Sequence, residues 1–551
     1  MTEIETNCEY LLEGLRRDIA ERRIRSGLER LDAHRDIVEQ IGPDSPGAAQ
    51  LLWRVAQWVD AGWADASIVR RMLQRFPAEW LSGLPLRDYA AYRMALGMLA
   101  AEDENLDDAI GHFNTVLVFG PDIADCEVVG IAHYWKARCL RKKGEYDDAL
   151  KHTSSAYSLV MKCGNEKMAA VMRVLESWMH FQNGRHKEAL RVLSETEAVL
   201  AGVDDCVVLG NIQSTYGRIY RQEGRYHLAI DHFTAAIAEF RKLSGTDPRL
   251  ARTLANLGYV KRLVALQLKR QIDEELTRKR RTPDSAQAAT IARHRQEFEM
   301  HRDEAFAHLD EAQSIYRAHP NHRGSGTVCL NRGLLHLDNG ALEEAEQESA
   351  AAFALGSEKD DPILMARARI LQCMVENAKL DEGIEEDGTR HANTALDYIR
   401  EALEFAHKTQ NRRLLARAHT WHGLTLLNER AGDRERAIEA MNAASSYLDH
   451  AFHDTAWEDL RTLKARLSGS HSIDESLRAW SHGAVGDRTF RQLTDEFAAI
   501  VIPKVWEIEG RKIARVANRL SISPKKVRRI LSRAGLLGSG QERAGAFAGG
   551  E

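Results

Sequence analysis

The side chains with the clearest chemical potential lie near the end of the chain. Between positions 504 and 533 stand ten basic residues, Lys504, Arg511, Lys512, Arg515, Arg519, Lys525, Lys526, Arg528, Arg529 and Arg533, against Glu507 and Glu509. The whole chain of 551 residues has a formal charge of −5, so the remainder carries the compensating acidic excess. Charge segregated in this way is the footprint expected for a phosphate-backbone partner. On a duplex, some of these cations would neutralise phosphates and others would bond guanine edges in the major groove. That chemistry needs a rigid rod to carry it.

The sequence supplies such a rod. Ile513, Val516, Ala517 and Leu520 share the inward face of a predicted helix over 513–520; Ser521 and Ile522 form a tight turn. Ser523 then caps a second helix that opens on Pro524 and turns Val527, Ile530 and Leu531 inward. Lys525, Lys526, Arg528 and Arg529 are left facing outward, with Arg533 beyond. The predicted DNA-binding set is Arg511, Lys512, Arg515, Ser523, Lys525, Lys526, Arg528, Arg529 and Arg533. Upstream, Phe490, Leu493, Phe497, Ile500 and Val501 read as an amphipathic stripe, and Pro503 reads as the start of a fresh helix containing Val505, Trp506 and Ile508. Over 489–537 the pattern resembles the Fis-type helix-turn-helix domain at the ends of bacterial transcription regulators. Ala517 matches its small first-helix residue, Ile522 its apolar turn residue, and Val527 and Ile530 the core of its recognition helix; Ser521 stands where that family usually has glycine. The resemblance implies a double-stranded DNA partner and a homodimer formed through the preceding helices.

An internal repeat organises most of what comes before. The segments beginning at Leu96, Lys136, Glu176 and Tyr216 align without gaps at a step of about 40 residues. Gly97, Ala137, Ser177 and Gly217 occupy one small-residue position, and Ala109, Ala149, Ala189 and Ala229 a second; Gly144, Gly184 and Gly224 fall in the turn between. This is the signature of a helical hairpin. A small side chain lets the second helix approach closely, and glycine adopts the left-handed conformation that ends the first. Each hairpin has an apolar face that only a stacked neighbour can bury. Gly333, His336, Gly340, Ala345 and Ala352 repeat the spacing, as do Gly423, Leu426, Gly432, Ala437 and Ala444 with a longer turn. The charged stretch after Gly258, followed by Ala305, Leu309 and Ala312, predicts an elongated hairpin; the acidic run 380–391 predicts a widened connection.

These residues resemble the tetratricopeptide repeat, most fully at Gly217, Tyr220, Gly224, Tyr226, Ala229, Phe233 and Ala236, although that family's usual step is about 34 residues. The predicted fold is all-α: a helical cap over 1–87, an α-solenoid of tetratricopeptide-like hairpins over 88–467, a linker over 468–488, a helix-turn-helix domain over 489–537 and a tail over 538–551. The expected groove partner is a protein, a peptide or another ligand. Trp53, Trp58 and Trp63, spaced by five, are scattered round a helix and read as packing residues.

The remaining features bear on what the chain is not. Seven cysteines without a C-x-x-C pair read as free thiols, and the pairs His419/His422 and His450/His453 lack the companions of a zinc site. No P-loop, H-E-x-x-H or G-x-S-x-G motif occurs, so neither an enzyme nor a cofactor or metal site is predicted. The cluster from Arg278 to Arg281 reads as a solvated loop end. No run of apolar residues is long enough to span a bilayer, and the acidic N-terminus lacks a signal-peptide pattern; a cytoplasmic protein without membrane contact is expected. Two functions compete on this sequence. One is a transcription regulator whose array controls the terminal helices; the other is an interaction scaffold whose basic end docks an acidic protein or packs on the array.

Overall fold

The computed structural model describes residues 3–243, 245–278, 285–382, 388–428, 432–448, 455–469, 489–533 and 536. The linker from 470 to 488, the tail from 537, the basic residues 279–281, the acidic residues 383–387 and the pair His450/His453 lie outside the described residues. Regular structure is entirely α-helical among those described. The chain divides into two compact units, 1–463 and 464–551.

Six helices open the first unit: α1 (Glu3–Ala20), α2 (Ile24–Ala33), α3 (Arg35–Gln40), α4 (Ala48–Asp60), α5 (Ala66–Leu73) and α6 (Ala78–Ser82). Four antiparallel pairs follow: α7 (Leu86–Glu102) with α8 (Leu106–Ala124), α9 (Cys126–Lys143) with α10 (Tyr146–Lys162), α11 (Glu166–Gln182) with α12 (His186–Val199), and α13 (Cys206–Gln222) with α14 (Tyr226–Arg241). The long pair α15 (Pro248–Arg278) and α16 (Ser285–Ala318) interrupts the regular step. Beyond it come α17 (His322–Asp338) with α18 (Leu342–Glu358), α19 (Pro362–Glu382) with α20 (Gly388–His407), α21 (Arg412–Leu426) with α22 (Arg434–Tyr447), and α23 (Thr455–Gly469).

The repeat positions do what their side chains allow. A methyl group on Gly97 would stand 2.6 Å from the Phe113 ring, and one on Gly217 would stand 2.9 Å from Phe233, so these glycines set the closeness of each pair. At the equivalent position Ser177 donates to the Ala189 carbonyl at 2.8 Å. Ala109, Ala149, Ala189 and Ala229 are all fully buried. One sequence reading is corrected. Cys126 and Cys163, taken as free thiols, are joined in a disulfide, because the hairpin brings the start of α9 beside the end of α10.

The N-terminal helices are tied into the array as well as stacked upon its end. Glu127 at the start of α9 accepts from Arg16 of α1 and Arg54 of α4, at 3.0 and 2.9 Å. Asp204 accepts the backbone amides of Ile24 and Arg25, satisfying donors that the first turn of α2 cannot pair within itself. Arg22 is paired with Asp205, and both are buried. The three tryptophans pack as expected: Trp53, Trp58 and Trp63 are buried, with the Trp58 ring filling the space that Gly27 leaves.

The second unit contains α24 (Phe490–Ile508), α25 (Ile513–Leu520) and α26 (Pro524–Arg533) around a small core. Pro503 does not begin a new helix; it lies inside α24. Ala498, Ile502 and Trp506 recur every fourth residue on both sides of it and are buried, so packing holds one rod across the hydrogen bond that proline cannot make. That face also differs from the predicted stripe, since Phe490 and Phe497 are exposed.

Candidate functional site

The first helices of successive pairs face inward, and beside them lies the end of α4. Together they enclose a cavity of about 150 Å³. Its wall carries six guanidiniums, those of Arg22, Arg138, Arg141, Arg218, Arg249 and Arg252, and one carboxylate, Asp60. Asp60 receives two bonds from Arg138, at 2.8 and 2.9 Å, while its backbone carbonyl accepts from Arg249 at 2.5 Å. Burial alone would raise the Asp60 carboxyl, but the guanidiniums of Arg138 and Arg249 outweigh it and hold it near about 2. Arg249 also pairs with Asp247 at 3.0 Å.

Among the described residues, three of the six meet no carboxylate. Arg252 donates to the neutral Asn211 amide oxygen at 2.9 Å, and Arg141 stacks 4.9 Å from the Trp178 ring centroid. Among the described residues the Arg218 side chain makes no hydrogen bond or ion pair, and its Nε is buried. Burial and the neighbouring guanidiniums push Arg141 down to about 9, and Arg218 lies well below the usual arginine range for the same two reasons. Arginine nonetheless keeps its proton in proteins, so the cost remains as uncompensated positive charge. None of these residues was singled out in the sequence. The arginines come from three separate hairpins and the N-terminal helices and carry no local motif.

A second polar cluster joins distant turns of the same unit. His322 at the head of α17 contacts Glu104, in the turn after α7, through Nδ1, and lies 3.3 Å from Asp361 through Nε2. Arg323 donates to Asp361 at 2.6 Å and to the Lys142 carbonyl, while Asn321 donates to Glu104 at 2.8 Å. Burial would lower the His322 ring, but its bonds to Asp361 and Glu104 prevail and raise it to about 9. Nearby, the Gln410 backbone amide donates to the Gly144 carbonyl at 3.2 Å, and its side-chain Oε1 accepts from the Asp147 backbone amide at 3.1 Å. The first and second hairpins are thus fastened to the sixth and to the turn between the seventh and eighth.

In the terminal bundle, Val516, Ala517, Val527, Ile530 and Leu531 are buried, and Ile513, Leu520 and Ile522 are half-buried against them. Ser521 is in the left-handed conformation at φ 53°, the backbone requirement behind the glycine common at this turn. The Lys526 amide donates to Ser523 Oγ at 3.3 Å, a long N-cap for α26. Arg511, Lys512, Arg515, Lys525, Arg528 and Arg529 are exposed, as is Ser523; Lys526 is half-buried. Arg519 pairs with Glu509, Arg529 reaches Asp495 at 3.9 Å, and Arg511 lies over Trp506. Arg533 ends α26, and its side chain lies outside the described set.

Metal donors assemble poorly. Among the described residues one group of three is close enough, Asp125, Cys126 and Cys163, and its two sulfurs are bonded to each other. His419 stacks on Tyr447 and meets His407 edge-on, and burial lowers it to about 4. No described helix is long and apolar enough to cross a membrane.

No protein-family model and no curated protein sequence matches the chain. Solved structures do. The crystal structure of a Rap protein complexed with competence and sporulation factor is similar at 12% identity, covering 72% of this chain and 98% of that one, with a TM-score of 0.50. The human IFIT1 dimer with m7Gppp-AAAA is similar at 12% identity over 81% of this chain and 95% of that one, with a TM-score of 0.43. The array is an α-solenoid of tetratricopeptide-like hairpins. At this identity the likeness to Rap concerns the fold alone, and the solenoid's chemistry has to be read from its own inner wall.

Proposed function

We propose that the protein is an interaction scaffold whose solenoid receives a protein or peptide segment between its inner helices. The observation that carries this reading is the cavity itself, a polar enclosure of about 150 Å³ formed by the inner helices of successive hairpins and closed on one side by α4. Concave sites with convergent polar groups are where ligands are held in place, and a solenoid offers such a wall along its inner surface. The test is a peptide-display selection against the whole chain, with each enriched peptide then measured on the wild type and on Ser214→Trp. The added indole fills the cavity beside Arg218. Enriched peptides should lose affinity for a variant whose helix content is unchanged; equal binding to both proteins removes the groove from the proposal.

A second reading has its own support. The exposed cations of α25 and α26, on two short helices joined at Ser521, support a reading in which they meet duplex DNA, which would make the chain a regulator that couples a groove ligand to DNA. Duplex affinity should fall steeply with salt, with a log–log slope near about −4 to −6 if roughly five or six phosphates are neutralised per chain. Arg528→Ala with Arg529→Ala should abolish that binding. Unchanged affinity in the double variant leaves the scaffold reading alone, with the basic end docking an acidic protein.

A further inference from the structure

We infer that the solenoid cavity is a receptor for an acidic peptide segment whose carboxylates pair with Arg141, Arg218 and Arg252. This rests on the groove reading above and specifies its partner. The inference follows from the wall's charge inventory. Each of Arg22, Arg138 and Arg249 has a carboxylate of its own, so their charges are met within the fold. The other three face a shared space, and among the described residues Arg252 meets the Asn211 amide, Arg141 the Trp178 ring, and Arg218 no hydrogen-bond partner. The three are half-buried, each with its Nε out of solvent, so their mutual repulsion is only partly screened. Three clustered together weaken the fold, so their presence makes sense where an anion supplies the missing charge.

The walls distinguish among anions. A nucleic acid would need aromatic faces on which bases could stack, but those available are taken. Arg138 covers the Trp135 ring at 3.9 Å and lies 5.7 Å from the Tyr134 ring centroid, and Trp178 is flanked by Arg141 and meets Tyr146 in a T-shaped contact. What remains suits a polypeptide. Asn211 and Ser214 line the same wall between the guanidiniums, and among the described residues the buried Ser214 hydroxyl has no hydrogen-bond partner. An amide side chain can donate to and accept from a passing backbone while the arginines hold its side-chain carboxylates in two-point contact.

The experiment uses the full chain and three fluorescent probes: an oligo-glutamate peptide, the matching oligo-glutamine peptide, and a single-stranded oligonucleotide. Oligo-glutamate should bind and raise the melting temperature, oligo-glutamine should not, and Arg218→Gln should weaken binding by about tenfold or more. The free Arg218→Gln protein should melt above the wild type, since the substitution removes repulsion and breaks no pair. A structural arginine would give the opposite shift. The inference is overturned if oligo-glutamate fails to bind, if the oligonucleotide binds this wall in its place, or if Arg218→Gln leaves affinity unchanged. The display selection keeps the two readings apart: groove-dependent peptides without acidic residues would retain the scaffold and discard this partner.

Discussion

The solenoid and the terminal bundle both rely on arginine, in opposite ways. In the solenoid the guanidiniums are sunk among packed helices, where each must find a carboxylate, a ring or a ligand, and Arg22 with Asp205 and Arg54 with Glu127 show the pairing carried through. In the bundle they stand in water on α25 and α26, where salt and solvent screen them and a neighbour such as Glu509 is optional. The same residue therefore answers to local geometry in one region and to long-range field in the other. If so, removing a partner should be costly in the first and almost free in the second.

The sharpest way to break the contrast is Asp205→Ala. It strands Arg22 in the interior and also removes the Asp205 cap on the Val208 amide, so the first unit should lose about 3–5 kcal/mol, read as a lowered urea midpoint. Replacing both partners by apolar residues, Arg22→Met with Asp205→Leu, should recover most of that. A loss under about 1 kcal/mol for the single variant would mean that buried and exposed arginines are handled alike.

A smaller effect is expected at the cross-turn cluster. His322 has its folded pKa raised to about 9, so its contribution is complete below the unfolded value of about 6.5 and fades as pH climbs through 9. Asp361 is held near about 2 despite its burial, by His322 and Arg323, so its share is present above about pH 4 and fails only as pH falls toward 2. The latch is thus strongest between about pH 4 and 6.5. Wild type should lose of order 2–3 kcal/mol between about pH 6 and 9.5, and His322→Gln should be nearly flat over that window. A wild-type profile without that slope would show that Glu104 and Asp361 do not hold the ring charged.

These cases also mark what the sequence could reveal. Hairpin positions were legible because Gly97, Ala109 and Gly217 act within one repeat, where spacing alone records the contact. The register of the bundle helices was legible for the same reason, but not the continuity of α24 through Pro503, which packing decides. The cavity arginines, the His322 cluster and the Cys126–Cys163 disulfide were hidden because each joins residues from separate helices, and in the first two cases from distant repeats. Local periodicity carries no record of which turn of a solenoid will meet which.

Below these lies Ser521→Gly. A non-glycine residue at φ 53° carries steric strain between its Cβ and the backbone, so glycine should steady the turn by about 0.5–1 kcal/mol without touching a single cation. Slower native-state hydrogen exchange at the Val516 and Val527 amides in the full chain would register it. Faster exchange would show that the turn is stabilised by the serine side chain and that its backbone is unstrained.

The smallest effect on the fold is expected from the change with the greatest functional consequence. Arg528 and Arg529 are both exposed, and the 3.9 Å approach of Arg529 to Asp495 joins two side chains that are each about half in water. Such a pair is worth little, so Arg528→Ala with Arg529→Ala should shift the bundle's stability by no more than about 0.5 kcal/mol, measured by the same exchange experiment. A larger loss would mean that α26 depends on its cations for folding, and the two regions would then no longer differ in kind. If stability holds, any loss of duplex affinity in this variant belongs to the surface charge alone, since the core of Val516, Val527 and Leu531 that positions α26 is untouched.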